Sequence, residues 1–369
     1  MARRYFHEPH HSTDATSPQS ARGENECRRS PKTVRLGWVN EACTTGGAAD
    51  FDQLTPDVVI DAVESALGAP CTNVCRPLNS YINRVYETQR ADGAAVIVKF
   101  YRPGRWSPDA LQDEHDFLAE LAAEEIPVVP PLAGPEGATL HRRGPLYYAL
   151  FPKKGGRVLD EPAGAEWEEL GRLIARVHIV GARRRPRDRV VADPRRLTAQ
   201  QVEAILAAGV VPPDCAGAYE CEARALIERI APLFDGLETI RIHGDAHRQN
   251  VIRRPGEGLF LIDFDDMAVG PPVQDLWMFL PGRPAEARRE AEALESGYST
   301  FRDFDRRTWR LVEPLRAMRF VHFAAWCARQ AADGGFARLA PGFGSSEYWR
   351  SEIRELRKQR TEIEDALSE

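Results

Sequence analysis

The sequence predicts an α+β protein of two unequal lobes, a small antiparallel sheet with one long helix followed by a larger, mostly helical part. Three observations carry this expectation. Residues 79–152 hold short runs rich in β-branched and aromatic side chains, separated by turn residues such as Asp92-Gly93. Among them, residues 107–126 repeat apolar side chains at helical spacing instead. From residue 153 onward helical spacing dominates, broken once by a strand–turn–strand pattern around Pro255-Gly256.

Composition narrows the functional classes. The 369 residues, 43% apolar and 28% charged, are ordinary for a globular protein with room for two cores. A net charge of −6 gives no general attraction to nucleic acid or to anionic membranes. No stretch reaches the roughly 18–20 continuous apolar residues of a membrane span. Seven cysteines, an odd count without framework spacing, point to free thiols in the cytoplasm, and Cys71-x-x-x-Cys75 is neither a zinc pair nor a redox pair. Residues 1–52, rich in Ser, Thr, Pro, Gly and charge, predict a disordered extension. Its Arg3-Arg4 pair lacks the apolar segment of an export signal. A monomer is the default expectation.

Each element has a local reason. In residues 54–67, Thr55 suits an N-cap, Pro56 the first helical position, and Val58, Ile60, Val63 and Leu67 a buried face. A hairpin follows around Asp92-Gly93. Ser107-Pro108 opens the long helix, which stops near Ile126 because Pro127 disfavours helical geometry before it. Two short strands, ATLHRRG and LYYALFP, lead to PKKGGR, the expected boundary between a lobe of residues 53–152 and one of 153–369. Helices are expected there at 163–181, 198–208, 216–234, 284–301, 306–333 and 346–367. The basic run GARRRPRDR, 181–189, reads as a solvated loop.

Candidate functional residues cluster around the interlobe region. Lys99 closes the strand run AVIVKF, on the face of Ile97 and Tyr101, where a lysine either snorkels to the edge or meets an anion. Glu114 lies on the apolar stripe of Leu111, Leu118 and Leu121, where a carboxylate is costly unless paired, so Lys99 is its expected partner. A strand Lys paired with a helix Glu is how kinases grip ATP phosphates. Downstream, RIHGDAHRQNVI carries His243-x-Asp245-x-x-x-x-Asn250, the pattern of a kinase catalytic loop. Asp245 would take the proton of an acceptor hydroxyl. Asn250 and Asp263, the latter returned by a hairpin, would hold magnesium, which needs only a few hard oxygen ligands. His247 reads as a loop brace or a substrate contact, Asp265 and Asp266 as braces, and Asp275 as a cap on the loop's amides. Backbone groups from Leu150 to Pro152 are expected to meet adenine.

HGDAHRQN with IDFDD resembles the aminoglycoside phosphotransferase/choline kinase superfamily. PLNSYINRVY, VIVKFYRPGRW, GPPVQDLWMFLPG and EPLRAMR are similar to the stress response kinase A (YihE) family, from Leu54 to Trp349. The resemblance implies a protein-kinase-like fold and a cytoplasmic enzyme using ATP and Mg2+ to phosphorylate Ser or Thr on protein substrates under stress. It also implies Asp245 as catalytic acid/base, Asn250 and Asp263 on magnesium, and Ser80 at the ATP phosphates. The alternative acceptor is a hydroxyl of an amino alcohol, sugar or aminoglycoside. The chain lacks a Gly-rich loop before Lys99, and Gln249 stands where the superfamily commonly has Gly.

Overall fold

The structure, a computed structural model, describes residues 51–331, 336 and 340–368. The expected extension therefore lies outside the described residues, except at its end. There Phe51 corrects the boundary: its ring is 5% exposed, packs into the sheet lobe's core and carries the Arg84 guanidinium 4.8 Å above it.

Helix α1 (Pro56–Leu67) starts as expected, with the Thr55 hydroxyl accepting the Val58 amide, and ends on Gly68 in the left-handed region. Its buried face is Val59, Ala62, Val63 and Ala66, not the expected set with Val58 and Ile60. That face repeats at i, i+3, i+4, i+7 and packs on the sheet, where the Tyr148 hydroxyl donates to the Ala62 carbonyl. The sheet is antiparallel throughout, in the order β1 (Cys71–Leu78), β2 (Arg84–Arg90), β3 (Ala95–Phe100), β5 (Leu146–Pro152), β4 (His141–Arg143). Asp92-Gly93 makes the β2–β3 turn, with Gly93 at φ 89° and the Ala94 amide on the Asp92 carboxylate. Helix α2 (Pro108–Ala123), capped by Ser107, then crosses to the second lobe, where Val128 bridges in parallel to Leu261.

The second lobe holds α3 (Glu166–Gly181), α4 (Ala199–Ala207), α5 (Pro213–Ile230), α6 (Gln274–Trp277), α7 (Arg288–Ser299), α8 (Val312–Gln330) and α9 (Ser346–Ser368). Ends differ from expectation where prolines and tight turns intervene. Helix α5 starts at Pro213 and yields to a 3-10 turn over Ala231–Phe234, and another over Arg306–Leu311 precedes α8. Gly171 and Gly297 let α3 and α7 cross with backbones in contact, since a Cβ at either would collide with the other helix's main chain. Two small sheets frame the loops of interest. One is β6 (Arg157–Val158), β8 (Val251–Arg254) and β9 (Gly258–Leu261); the other pairs β7 (Ile240–Ile242) with β10 (Ala268–Gly270), a strand the sequence did not suggest. Among the described residues no helix is long and apolar enough to cross a membrane.

Two buried histidines make stability pH-dependent. His115 bonds the Tyr101 hydroxyl and the Thr139 hydroxyl, both at 2.9 Å, and His322 bonds the Thr198 hydroxyl at 3.1 Å. Burial, aided by nearby cations, pushes each down to about 3. The unfolded chain takes up these protons near pH 6.5 and the folded chain resists them, so their contribution is complete above about 6.5 and is lost as pH falls towards 3. Urea midpoints should therefore drop between pH 7 and 4. In a His115→Gln/His322→Asn double variant the slope should flatten; an unchanged slope would refute the assignment.

Candidate active site

Residues 243–250 form a loop between β7 and β8, and Asp275 of α6 sets its shape as expected. The Asp275 carboxylate accepts the amides of His243 (2.6 Å) and Gly244 (2.9 Å), and His178 of α3 holds it from behind at 3.1 Å. His243 is a brace: the Asp245 amide donates to its Nδ1 (3.2 Å), leaving the Nε2 proton for the Ile262 carbonyl (3.0 Å). Gln249 lies half-buried in the 3-10 turn Arg248–Asn250, so the loop accommodates it without glycine.

Asp245 is 4% exposed. Arg319 of α8 donates to its Oδ1 at 3.2 Å, and His247 Nε2 lies 3.2 Å from Oδ2, off the hydrogen-bond direction. Burial opposes ionisation, but His247, Arg319 and His243 hold the carboxyl below the usual carboxylate range. The Asn250 side-chain amide donates to the Asp245 carbonyl (3.0 Å), which leaves its Oδ1 available to a cation. The Ile262 amide donates to the Asn250 carbonyl at 2.9 Å, so the β8–β9 hairpin does return Asp263 beside Asn250. Asp263 sits at φ 65°, a left-handed conformation that Asp tolerates, with its carboxylate half exposed.

Lys99 faces these residues from β3. Its ammonium lies 3.1 Å from Asp265, 3.4 Å from Asp263 and 3.7 Å from Glu114. Glu114 is thus a partner, as expected, but the most distant of the three. Being buried, it would act on a nucleotide through Lys99 alone. Burial would lower the Lys99 pKa, yet Asp265, Glu114 and Asp263 together lift it well above the ordinary lysine value. Asp265 also takes Arg105 and the Asn83 amide, while Asp266 shares Arg105, so both acids brace. Ser80 lies half-buried in the loop between β1 and β2, whose Tyr81 meets the edge of Trp326 on α8 at 5.7 Å. Of the backbone groups expected to meet adenine, Leu150 to Pro152, the Leu150 carbonyl accepts the Leu132 amide at 2.7 Å. An open depression of about 640 Å3 beside Gly156, Arg157, Arg253 and Gly258 shares no residue with this constellation.

The basic run 181–189 is exposed over residues 182–185 and 187–188, as expected of a solvated loop, but its arginines are paired and its last one is buried. Arg183 pairs with Glu124, Arg184 with Glu120, and Arg187 with Asp113 and Asp116, clasping α2 to the helical lobe. Arg189 is fully buried: it reaches Glu114 (3.2 Å), the carbonyls of Ala110 and Asp265 (2.7 Å each) and the Trp106 ring. Replacing it by Met leaves Glu114 one cation short and two carbonyls unmet. We expect a loss of about 3 kcal/mol, read as a lower denaturant midpoint; a midpoint equal to wild type would show that the clasp is dispensable.

Residues 74–312 match the phosphotransferase enzyme family. The chain belongs to that family. It is 36% identical to stress response kinase A of Escherichia coli (strain K12) over 327 residues, 86% of this chain and 94% of the relative. Serine/threonine protein kinase RdoA of Salmonella typhimurium is 35% identical over 304 residues, 82% and 92% of the two chains. Among solved structures, an amicoumacin kinase in complex with AMP-PNP, Ca2+ and its ligand superposes with a TM-score of 0.66 at 17% identity, covering 86% of this chain and 95% of that one. An aminopropanol kinase gives 0.64, also at 17%, over 84% and 98%. At such identities these two establish the fold.

The donor set of this phosphotransferase suits magnesium. Among the described residues no three His, Cys, Asp or Glu side chains converge on a metal position. One amide oxygen and one half-exposed carboxylate, Asn250 and Asp263, are what a cation that retains its waters needs. Arg105, Arg189 and Arg319 complete the site, and sequence reasoning assigned none of them to it. The GARRRPRDR run was visible, but its partners on α2 were not.

Proposed function

We propose that this chain is an ATP- and magnesium-dependent kinase that phosphorylates Ser or Thr of proteins in the cytoplasm, in a role linked to stress. The observation that carries the reading is the gathering of Asp245, Asn250, Asp263 and Lys99, with Asn250 bonded to the Asp245 carbonyl and Lys99 paired with Asp263, in a chain of this family. The serine/threonine kinase named among its relatives supports the choice of acceptor.

Lys99 binds the α- and β-phosphates, kept charged by its three carboxylates, and Ser80 with neighbouring amides covers them. Asn250 and Asp263 would hold Mg2+, which supplies neutralisation of the phosphate oxygens. Asp245 accepts a hydrogen bond from the acceptor hydroxyl, aims its oxygen at the γ-phosphorus and takes the proton as the new P–O bond forms. Rate acceleration then comes from position and charge, with no covalent intermediate on the protein. A cationic amino alcohol or aminoglycoside would meet Arg319 at the base in place of an acidic wall, which favours a protein hydroxyl.

The test uses γ-labelled ATP and Mg2+ with wild-type and Asp245→Asn protein, supplied with lysate proteins or separately with the small-molecule fraction. Asp245-dependent label on protein Ser or Thr is the expected result. Label confined to a small metabolite would move the acceptor to that class.

A further inference from the structure

Asp245 must present one carboxylate oxygen to an incoming hydroxyl, yet its own loop does little to fix the rotation of that carboxylate. The loop's bonds fall on main-chain atoms: the Asp245 amide on His243 and its carbonyl on Asn250. His247 is buried with Nε2 3.2 Å from Oδ2, a contact poorly aligned for a hydrogen bond. Directional contact with the carboxylate comes instead from Arg319, 74 residues further along the chain. Its side chain is nearly buried and also touches the Met278 sulfur at 3.4 Å.

Helix α8 is suited to hold that contact still. Seven residues on from Arg319, two turns along the same face, Trp326 meets Tyr81 of the loop that follows β1. Between them His322 is tied to Thr198. One face of α8 therefore touches both the proposed base and the loop proposed to cover the phosphates.

We infer that Arg319 is a positioning residue for phosphoryl transfer: by binding Oδ1 it turns Oδ2 of Asp245, on the His247 side, towards the acceptor hydroxyl. This rests on Asp245 being the base. A guanidinium suits the task because its planar fork fixes direction, whereas an ammonium supplies charge alone. No proton is transferred to Arg319, and the chemistry stays with Asp245.

The experiment compares wild type, Arg319→Ala, Arg319→Lys and Asp245→Asn as full-length proteins, with Mg·ATP and myelin basic protein as a generic Ser/Thr acceptor, and reads label transfer together with ADP release to water. For Arg319→Ala we expect kcat to fall about 100-fold with KM for ATP nearly unchanged. Arg319→Lys should recover part of the loss, and millimolar guanidinium should restore Arg319→Ala but not Asp245→Asn. Near-wild-type kcat in Arg319→Ala would overturn the inference. So would a parallel loss of kcat and nucleotide affinity that neither Lys nor guanidinium repairs, since that marks a purely structural role. Full turnover in Asp245→Asn would instead remove the assignment of the base, whatever Arg319 does.

Discussion

Asp245→Asn should lower label transfer by roughly 10²- to 10⁴-fold while leaving Mg·ATP affinity close to wild type. The substitution keeps the shape of the side chain and its contact with Arg319, and the main-chain bonds to His243 and Asn250 are untouched. What it removes is the ability to take a proton and the charge that attracts the hydroxyl. Affinity should survive because the groups proposed to hold the nucleotide, Lys99 and the metal pair, are left in place. Single-turnover transfer and calorimetric titration with Mg·AMP-PNP read the two quantities separately. A variant that still turns over at the wild-type rate would show that a different group does the work, and His247 would be the next to replace.

Asp263→Ala should act on both quantities. Losing the one carboxylate of the metal pair costs several kcal/mol of charge stabilisation in transfer, at least about 100-fold in rate. It should also weaken Mg·ATP binding. Lys99 keeps Glu114 and Asp265 as counter-ions, so the β3 strand should remain in place and metal-free ADP should bind nearly as before. Titrating the variant with ADP in the presence and absence of Mg2+ isolates this difference. If magnesium improves ADP binding as much in the variant as in wild type, Asp263 is not its ligand.

Other parts of the pattern could be read from the chain because they are local. His243, Asp245 and Asn250 lie within eight residues, and one short hairpin separates Asn250 from Asp263, so spacing alone brings them together. Caps at Thr55 and Ser107 and the Asp92-Gly93 turn are equally short-range. Errors arose where a local pattern admits two answers. The face of α1 shifted by one residue because Val58, Val59 and Ile60 are interchangeable in hydrophobicity, and only the sheet beneath selects Val59. The adenine contacts expected from Leu150 to Pro152 are less local, because a strand's hydrogen bonds depend on its neighbours: the Leu132 amide donates to the Leu150 carbonyl.

Sequence by itself determined the two-lobed α+β class and the acid–amide–acid spacing, since both follow from backbone geometry over a few residues. Tertiary structure decided the electrostatics around that spacing. Arg105 meets Asp265 across 160 residues, Arg189 meets Glu114 across 75 and Arg319 meets Asp245 across 74. A long guanidinium in the sequence is compatible with water or with any carboxylate of the chain. Its partner is chosen only when packing removes the water and leaves one acid within reach.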